Sequence, residues 1–256
     1  MGLDIYAGTL TRYYSRNWKA VTQKWAEANG LGFQIMRPNE DYNVSSQNDE
    51  MSIEQIQNEM QEWSNTIANG LTSSTERNYE AWEENNEKDY FTDKPDWNAF
   101  GALLLYGACL KYNLPLPEKV KKGWDYQKDP IIIRTLNDSE LNWSLFSEWW
   151  LPFDDCFSFN YTTPNGNEIS ISTTGALLEQ LQKINELGWG AEESVLLNWS
   201  KTEGTPAESE VIDGTYNKIE TVNEYDVQSL AKLGFSILYQ AALFSKKHRV
   251  PILMDY

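Results

Sequence analysis

The chain has one histidine, His248, and two cysteines, Cys109 and Cys156, in 256 residues. A single imidazole cannot supply an HExxH zinc site or a multi-histidine cage, and no metal site is expected. Ser-His-Asp or Cys-His chemistry would have to run through His248. That residue stands in "SKKHRVP", at the end of a helical pattern, where a cation complements the terminal carbonyls. The cysteines form no CxxC and sit in apolar surroundings. Buried free thiols in a reducing cytosol are therefore expected.

Nucleotide and acyl-transfer signatures are missing too. There is no GxSxG elbow and no GxxxxGK[ST] loop, and "GLGFQI" lacks the third glycine of a dinucleotide fingerprint. No cofactor is expected. The longest apolar run, Ala99 to Leu110, is too short to span a bilayer. "MGLDIYAGTL" has no basic stretch leading into a long apolar core. That points to a chain without a secretory leader and to a cytoplasmic location.

Charge is plentiful but local. Between Glu40 and Asp96, 15 acidic residues stand against Arg77, Lys88 and Lys94. Between Glu203 and Asp226, 7 acidic residues stand against Lys218. The net charge of -17 thus belongs to two segments, 40–96 and 203–226, on a nearly neutral remainder. Such segments repel nucleic acid and anionic membranes, so neither is expected as a partner. They attract a basic protein and speed its encounter. A surface that serves solubility alone is the competing reading.

The spacing of apolar residues predicts an α+β fold, rich in helix, in a single globular domain over 1–256. Leu3, Ile5 and Ala7 alternate as a strand, Asn17 can cap a helix running to Asn29, and "LGFQIM" reads as a second strand. This makes an N-terminal strand-helix-strand unit. Ser52 should cap an amphipathic helix with Ile53, Ile56, Met60, Trp63 and Ile67 on one stripe. Asp96 should cap the most buried helix, and "PIIIRTL" reads as a short strand. "PNGN" predicts a β-hairpin over about 156–173. Residues 201–225 read as a polar loop or flap, and Val227 to Lys247 as the last helix. The two acidic segments are expected at the surface or as mobile regions.

Aromatic residues make up 13% of the chain, with 11 Trp and 14 Tyr. Such rings are costly to leave wet, so most are expected in the core, and a minority on the surface are candidates to line a groove or an interface. The densest cluster is "FSEWWLPFDDCF", Phe146 to Phe157. Its Glu148, Asp154 and Asp155 are candidate catalytic carboxylates, because a carboxyl beside apolar rings gains proton affinity. Its Trp149 and Trp150 are candidate binding residues. A simpler reading makes it a folding corner: Pro152 ends a helix, the two indoles anchor that helix end, and the aspartates form a turn. Arg12, Tyr13, Tyr14 and Arg16 are the second binding candidate, since Tyr and Arg favour interface hot spots. Arg12, Arg16 and Lys19 would share a helical face if the helix begins early.

These features favour an acidic binding module, an inhibitor, antidote or adaptor for a basic protein. The alternative is a carboxylate-dependent hydrolase, acting on a glycan through Glu148, Asp154 or Asp155.

Overall fold

The computed structural model describes residues 2–32, 51–138, 143–205, 209–212, 215–218 and 223–256. In chain order the elements begin with β1 (Asp4–Ala7), α1 (Leu10–Tyr14), α2 (Val21–Ala28) and α3 (Ile53–Ser74). Next come β2 (Phe91–Asp93), α4 (Asp96–Tyr112), β3 (Lys119–Lys121), α5 (Pro130–Leu136), β4 (Trp149–Leu151), β5 (Ser158–Thr162) and β6 (Glu168–Thr173). The remainder is α6 (Thr174–Leu187), α7 (Glu193–Thr202), β7 (Ser209–Ile212), β8 (Thr215–Lys218), β9 (Glu224–Asp226), α8 (Val227–His248) and β10 (Ile252–Asp255). The class is α+β.

A six-stranded mixed sheet runs in the order β2-β1-β10-β4-β6-β5. Only β4 and β6 pair in parallel; the other neighbours are antiparallel. Side chains alternate across a strand, so each strand feeds both faces. Ile5, Ala7, Trp150, Ile252 and Met254 join one core, shared with α4, α6, α7 and α8. Tyr6, Trp149, Leu151, Ile171 and Leu253 join the other, shared with α1 and α3. The adjacent tryptophans of "WW" therefore point to opposite sides. They do not anchor a helix end, because the residues before Pro152 form strand β4.

Hydrophobic stripes and caps place most helices where the spacing predicts. Ser52 and Gln55 form a reciprocal capping box at the head of α3, and Met60 and Ile67 are buried beneath it. Asp96 Oδ1 accepts from the backbone N–H of Asn98 at 2.7 Å and Ala99 at 3.0 Å, opening α4. The hairpin forms as expected, with Phe159 opposite Ile171 and Tyr161 opposite Ile169.

Four expectations change. "PIIIRTL" is helix α5, because Asp129 Oδ1 accepts from the N–H groups of Ile131 and Ile132 and Pro130 sits in the first turn. A good cap here outweighs the β-preference of three isoleucines. The helix expected to start from an Asn17 cap begins only at Val21, with Ala20 in the cap position, and a separate short helix, α1, precedes it. The strand expected over "LGFQIM" falls largely on residues 33–36, which lie outside the described residues. The 201–225 segment is not one open loop: it contains α7's end, the β7–β8 pair, and β9 paired to β3. Cys109 is buried as expected, whereas Cys156 is exposed.

Helices α4 and α8 cross at contact distance on the sheet. A Cβ built on Gly234 of α8 would lie 2.6 Å from the carbonyl oxygen of Ala99 in α4. Backbone cannot swing aside as a side chain does. Among the described residues no helix is long and apolar enough to cross a membrane. Gly234→Ala should cost about 2 kcal/mol through overpacking. The melting temperature in a calorimetric scan should fall by roughly 5 °C; an unchanged melt would mean that α4 and α8 do not pack this closely.

Candidate functional site

Residues 76–90 carry neither helix nor strand, yet they are pinned along their length. Alternation within "AWEE" turns Trp82 and Glu84 inward and Glu83 outward. The backbone of this strap finds its partners in side chains. Gln57 donates to the Glu84 carbonyl at 2.9 Å, Gln61 accepts from the Glu84 N–H at 2.9 Å, and Ser64 donates to the Trp82 carbonyl at 3.1 Å. Gln57, Gln61 and Ser64 follow one another at helical spacing, so a single row on α3 holds the strap. From the other side, Thr9 donates to the Asn85 carbonyl and Arg12 Nη2 to the Asn86 carbonyl, both at 2.6 Å.

Glu84 is the centre of this bracing. Its side chain is 1% exposed. One carboxylate oxygen accepts from the Leu10 N–H at 3.1 Å and Trp82 Nε1 at 2.8 Å. The other accepts from the Thr11 N–H at 2.7 Å and Thr11 Oγ1 at 2.9 Å. Two of these donors are free N–H groups in the first turn of α1. Burial pushes the Glu84 carboxyl above its ordinary 4.5, against the downward pull of the four donors.

The outward side of the same framework is acidic. Glu54, Glu59 and Glu62 on α3, and Glu76, Glu80, Glu83, Glu87 and Asp89 on the strap, are exposed. Lys88 lies 3.4 Å from Glu83, and Arg249 lies 3.7 Å from Glu80. Among the described residues, Glu54, Glu59, Glu62, Glu76, Glu87 and Asp89 have no ion-pair partner.

The residues singled out from the sequence are scattered around this face. Arg12 is half-buried; its Nη1 donates to the Asn17 carbonyl at 2.9 Å, and its guanidinium sits 5.1 Å from the Tyr90 ring centre. Tyr13 donates to Asp255 Oδ1 at 2.6 Å and packs on Tyr6 and Trp18. Tyr14 is half-buried, and burial pushes its hydroxyl well above the ordinary tyrosine value. Arg16 is exposed at a positive φ of 58°. The chain turns there, so Arg12, Arg16 and Lys19 do not share a helix face. Trp150 is fully buried and donates to the Ser144 carbonyl at 2.9 Å. Trp149 is buried edge-to-face against Trp63. Neither indole has a surface left for a partner.

The three candidate carboxylates do not converge. Glu148 precedes β4 and accepts from the Tyr256 hydroxyl at 2.9 Å. Asp154 and Asp155 follow β4, at its other end. Asp154 pairs with Lys246 at 2.9 Å, and Asp155 with Arg77. Beside them the Cys156 thiol is pushed up to about 11 by partial burial and the Glu179 carboxylate. It stays protonated at neutral pH and is a poor nucleophile. Among the described residues no group of carboxylates, histidine and cysteines is arranged to hold a metal ion.

Sequence reasoning missed Glu84 and its α3 partners. The available signal was the polar row Gln57, Gln61, Ser64 beside the apolar stripe, together with Trp82 and Glu84 two apart in an acidic run.

Removing the Glu84 carboxylate leaves four donors without an acceptor, so Glu84→Ala should destabilise the fold by about 3 kcal/mol. Because the carboxyl is raised in the fold, its stabilising contribution is complete below the unfolded value of about 4.3 and is lost as pH rises through the folded value. Glu84→Gln cannot ionise and lacks that slope. Urea titrations should show the gap between wild type and Glu84→Gln narrowing as pH rises above the unfolded value of about 4.3. A gap that widens would reverse the assignment.

A scan against protein-family models, a search of curated proteins and a search of solved structures found no match.

Proposed function

We propose that the protein is a binding module and that the face made by α3 and the 76–90 strap receives a basic protein, as an inhibitor, antidote or adaptor would. The observation that carries this reading is the set of exposed carboxylates on a framework held from beneath by Glu84, Gln57, Gln61 and Ser64. Six of those carboxylates spend no charge on internal pairs among the described residues. A fixed array of like charges loses little freedom when a cationic partner docks, and it steers that partner during approach. Like charges gathered on one framework repel one another, and a partner's lysines and arginines relieve that repulsion. A cytoplasmic location is part of the same proposal and is supported by the two free thiols, Cys109 and Cys156.

A glycan hydrolase would need two carboxyls facing one bond. Glu148 and Asp154 stand at opposite ends of β4, and Asp154 and Asp155 are each occupied by a cation. This arrangement lends that reading no support.

Affinity purification with the full chain tests the proposal. Replacing Glu59, Glu62, Glu76 and Glu87 together by glutamine should leave the fold intact, since all four are exposed. The same change should weaken capture of a basic protein by about tenfold or more. Wild-type binding should fall as salt rises and the Debye length shrinks below about 10 Å. Partners that lack a basic bias, or that bind the quadruple variant as well as wild type, would sink the proposal.

A further inference from the structure

On the opposite side of the sheet, α4, α5, the segment before β4 and the end of the chain after β10 line a half-open cavity of about 380 Å³. Its size falls within the range of small-molecule sites. Four aromatic rings form one end. Trp97 lies 5.1 Å from Tyr256 edge-to-face, 6.1 Å from Tyr126 in a near-parallel stack and 6.3 Å from Phe100, centre to centre. Leu104 of α4, the aliphatic side chains of α5, and Leu145, Phe146 and Met254 supply most of the remaining wall, with Gln127 and Ser147 as its neutral polar side chains.

Among the described residues that line this cavity, Glu148 is the one charged side chain. It has no ion-pair partner among the described residues. Its one polar contact is the hydroxyl of Tyr256, at 2.9 Å. Burial and the Glu148 carboxylate push that hydroxyl up to about 12, so it remains a donor at neutral pH. The cavity thus combines a half-buried anion, ring faces with negative quadrupoles and an apolar interior.

The wall is also specifically fitted. Gly101 lies in the middle of α4, where glycine weakens a helix. A Cβ there would lie 2.5 Å from Cβ and 2.6 Å from Cγ of Tyr126. The glycine admits the Tyr126 ring against the helix and so sets one side of the cavity. Packing α4 alone would favour alanine at this position.

We propose that this cavity binds a small organic ammonium ion, with its charged head between Glu148 and the rings of Trp97 and Tyr256 and its apolar body toward α4 and α5. A neutral ligand would leave the carboxylate without a counter-charge, and an anion would be repelled by it. A bare metal ion would find one carboxylate and no further charged ligand. The rings and the carboxylate both favour a cation, and the apolar interior favours an alkyl or aryl group attached to it. This site is independent of the acidic face, which lies across the sheet.

Isothermal titration of the full chain with phenethylamine and with its neutral isostere 2-phenylethanol tests the assignment. The amine should bind saturably and at least about tenfold more tightly than the alcohol. This ratio on the wild-type protein needs no variant, so it stands even where a substitution impairs folding. Glu148→Gln should lower amine affinity to the level of the alcohol and leave the alcohol unchanged. Asp154→Asn, at the far end of β4, should change neither. Equal affinity for amine and alcohol would overturn the proposal, as would amine binding that survives Glu148→Gln. No saturable binding up to about 10 mM amine also overturns it. So does binding of a lysine-rich peptide, sensitive to Glu148→Gln, when the free amine does not bind, because the site would then serve a protein's side chain.

Discussion

A carboxylate with no water to face must have its charge met by the protein, and Glu84 meets that demand at the head of α1. The four donors come from two places in the chain: Leu10 and Thr11 from α1, and Trp82 from the strap itself. None of them can be replaced by solvent at 1% exposure. The strap must therefore lie where it does, or a charge and several N–H groups go unpaired. Once it is fixed there, its carbonyls and amides fall against Gln57, Gln61 and Ser64, which ties α3 to the same assembly. A segment of high negative charge and no regular structure is held in a definite shape in this way.

The sheet separates two environments with different physics. On one face, α4 and α8 pack through close backbone contact and long apolar side chains, with Gly234 permitting the approach. On the other, polar side chains stitch a strap and helices over an aromatic core of Tyr6, Trp149, Trp82 and Phe153. Trp149 and Trp150 tie both to one strand, each filling one core. The two proposed sites follow this division. The acidic face belongs to the hydrogen-bonded side, where excess carboxylate can be displayed at fixed spacing. The aromatic cavity belongs to the apolar side, where a single half-buried carboxylate stands among aromatic and aliphatic side chains.

The candidate catalytic carboxylates show how neighbourhood in sequence can mislead. Glu148, Asp154 and Asp155 lie within eight residues of one another. An intervening strand rises about 3.3 Å per residue, which carries its two ends apart rather than together. Asp154 and Asp155 then answer to Lys246 and Arg77, on α8 and just after α3, while Glu148 answers to Tyr256. Each carboxylate took a partner distant in sequence, and no shared cleft resulted.

Local periodicity determined the helices α3, α4 and α8 and the β5–β6 hairpin, because burial of a stripe or of alternate residues is a property of neighbours along the chain. The uneven charge was equally plain, since it needs only counting. Local reasoning misread α5, where one Asp129 side chain outweighed three isoleucines, and it took "WW" for a helix anchor because the parallel partner β6 was not yet in view. The donors that meet Glu84 from α1 and the cavity behind Glu148 were decided by tertiary structure alone. Glu148 and its Tyr256 partner are 108 residues apart, and Trp97 reaches the same cavity from a third segment. A side chain's burial and partners are fixed only when such segments meet, and no spacing within one segment encodes that meeting.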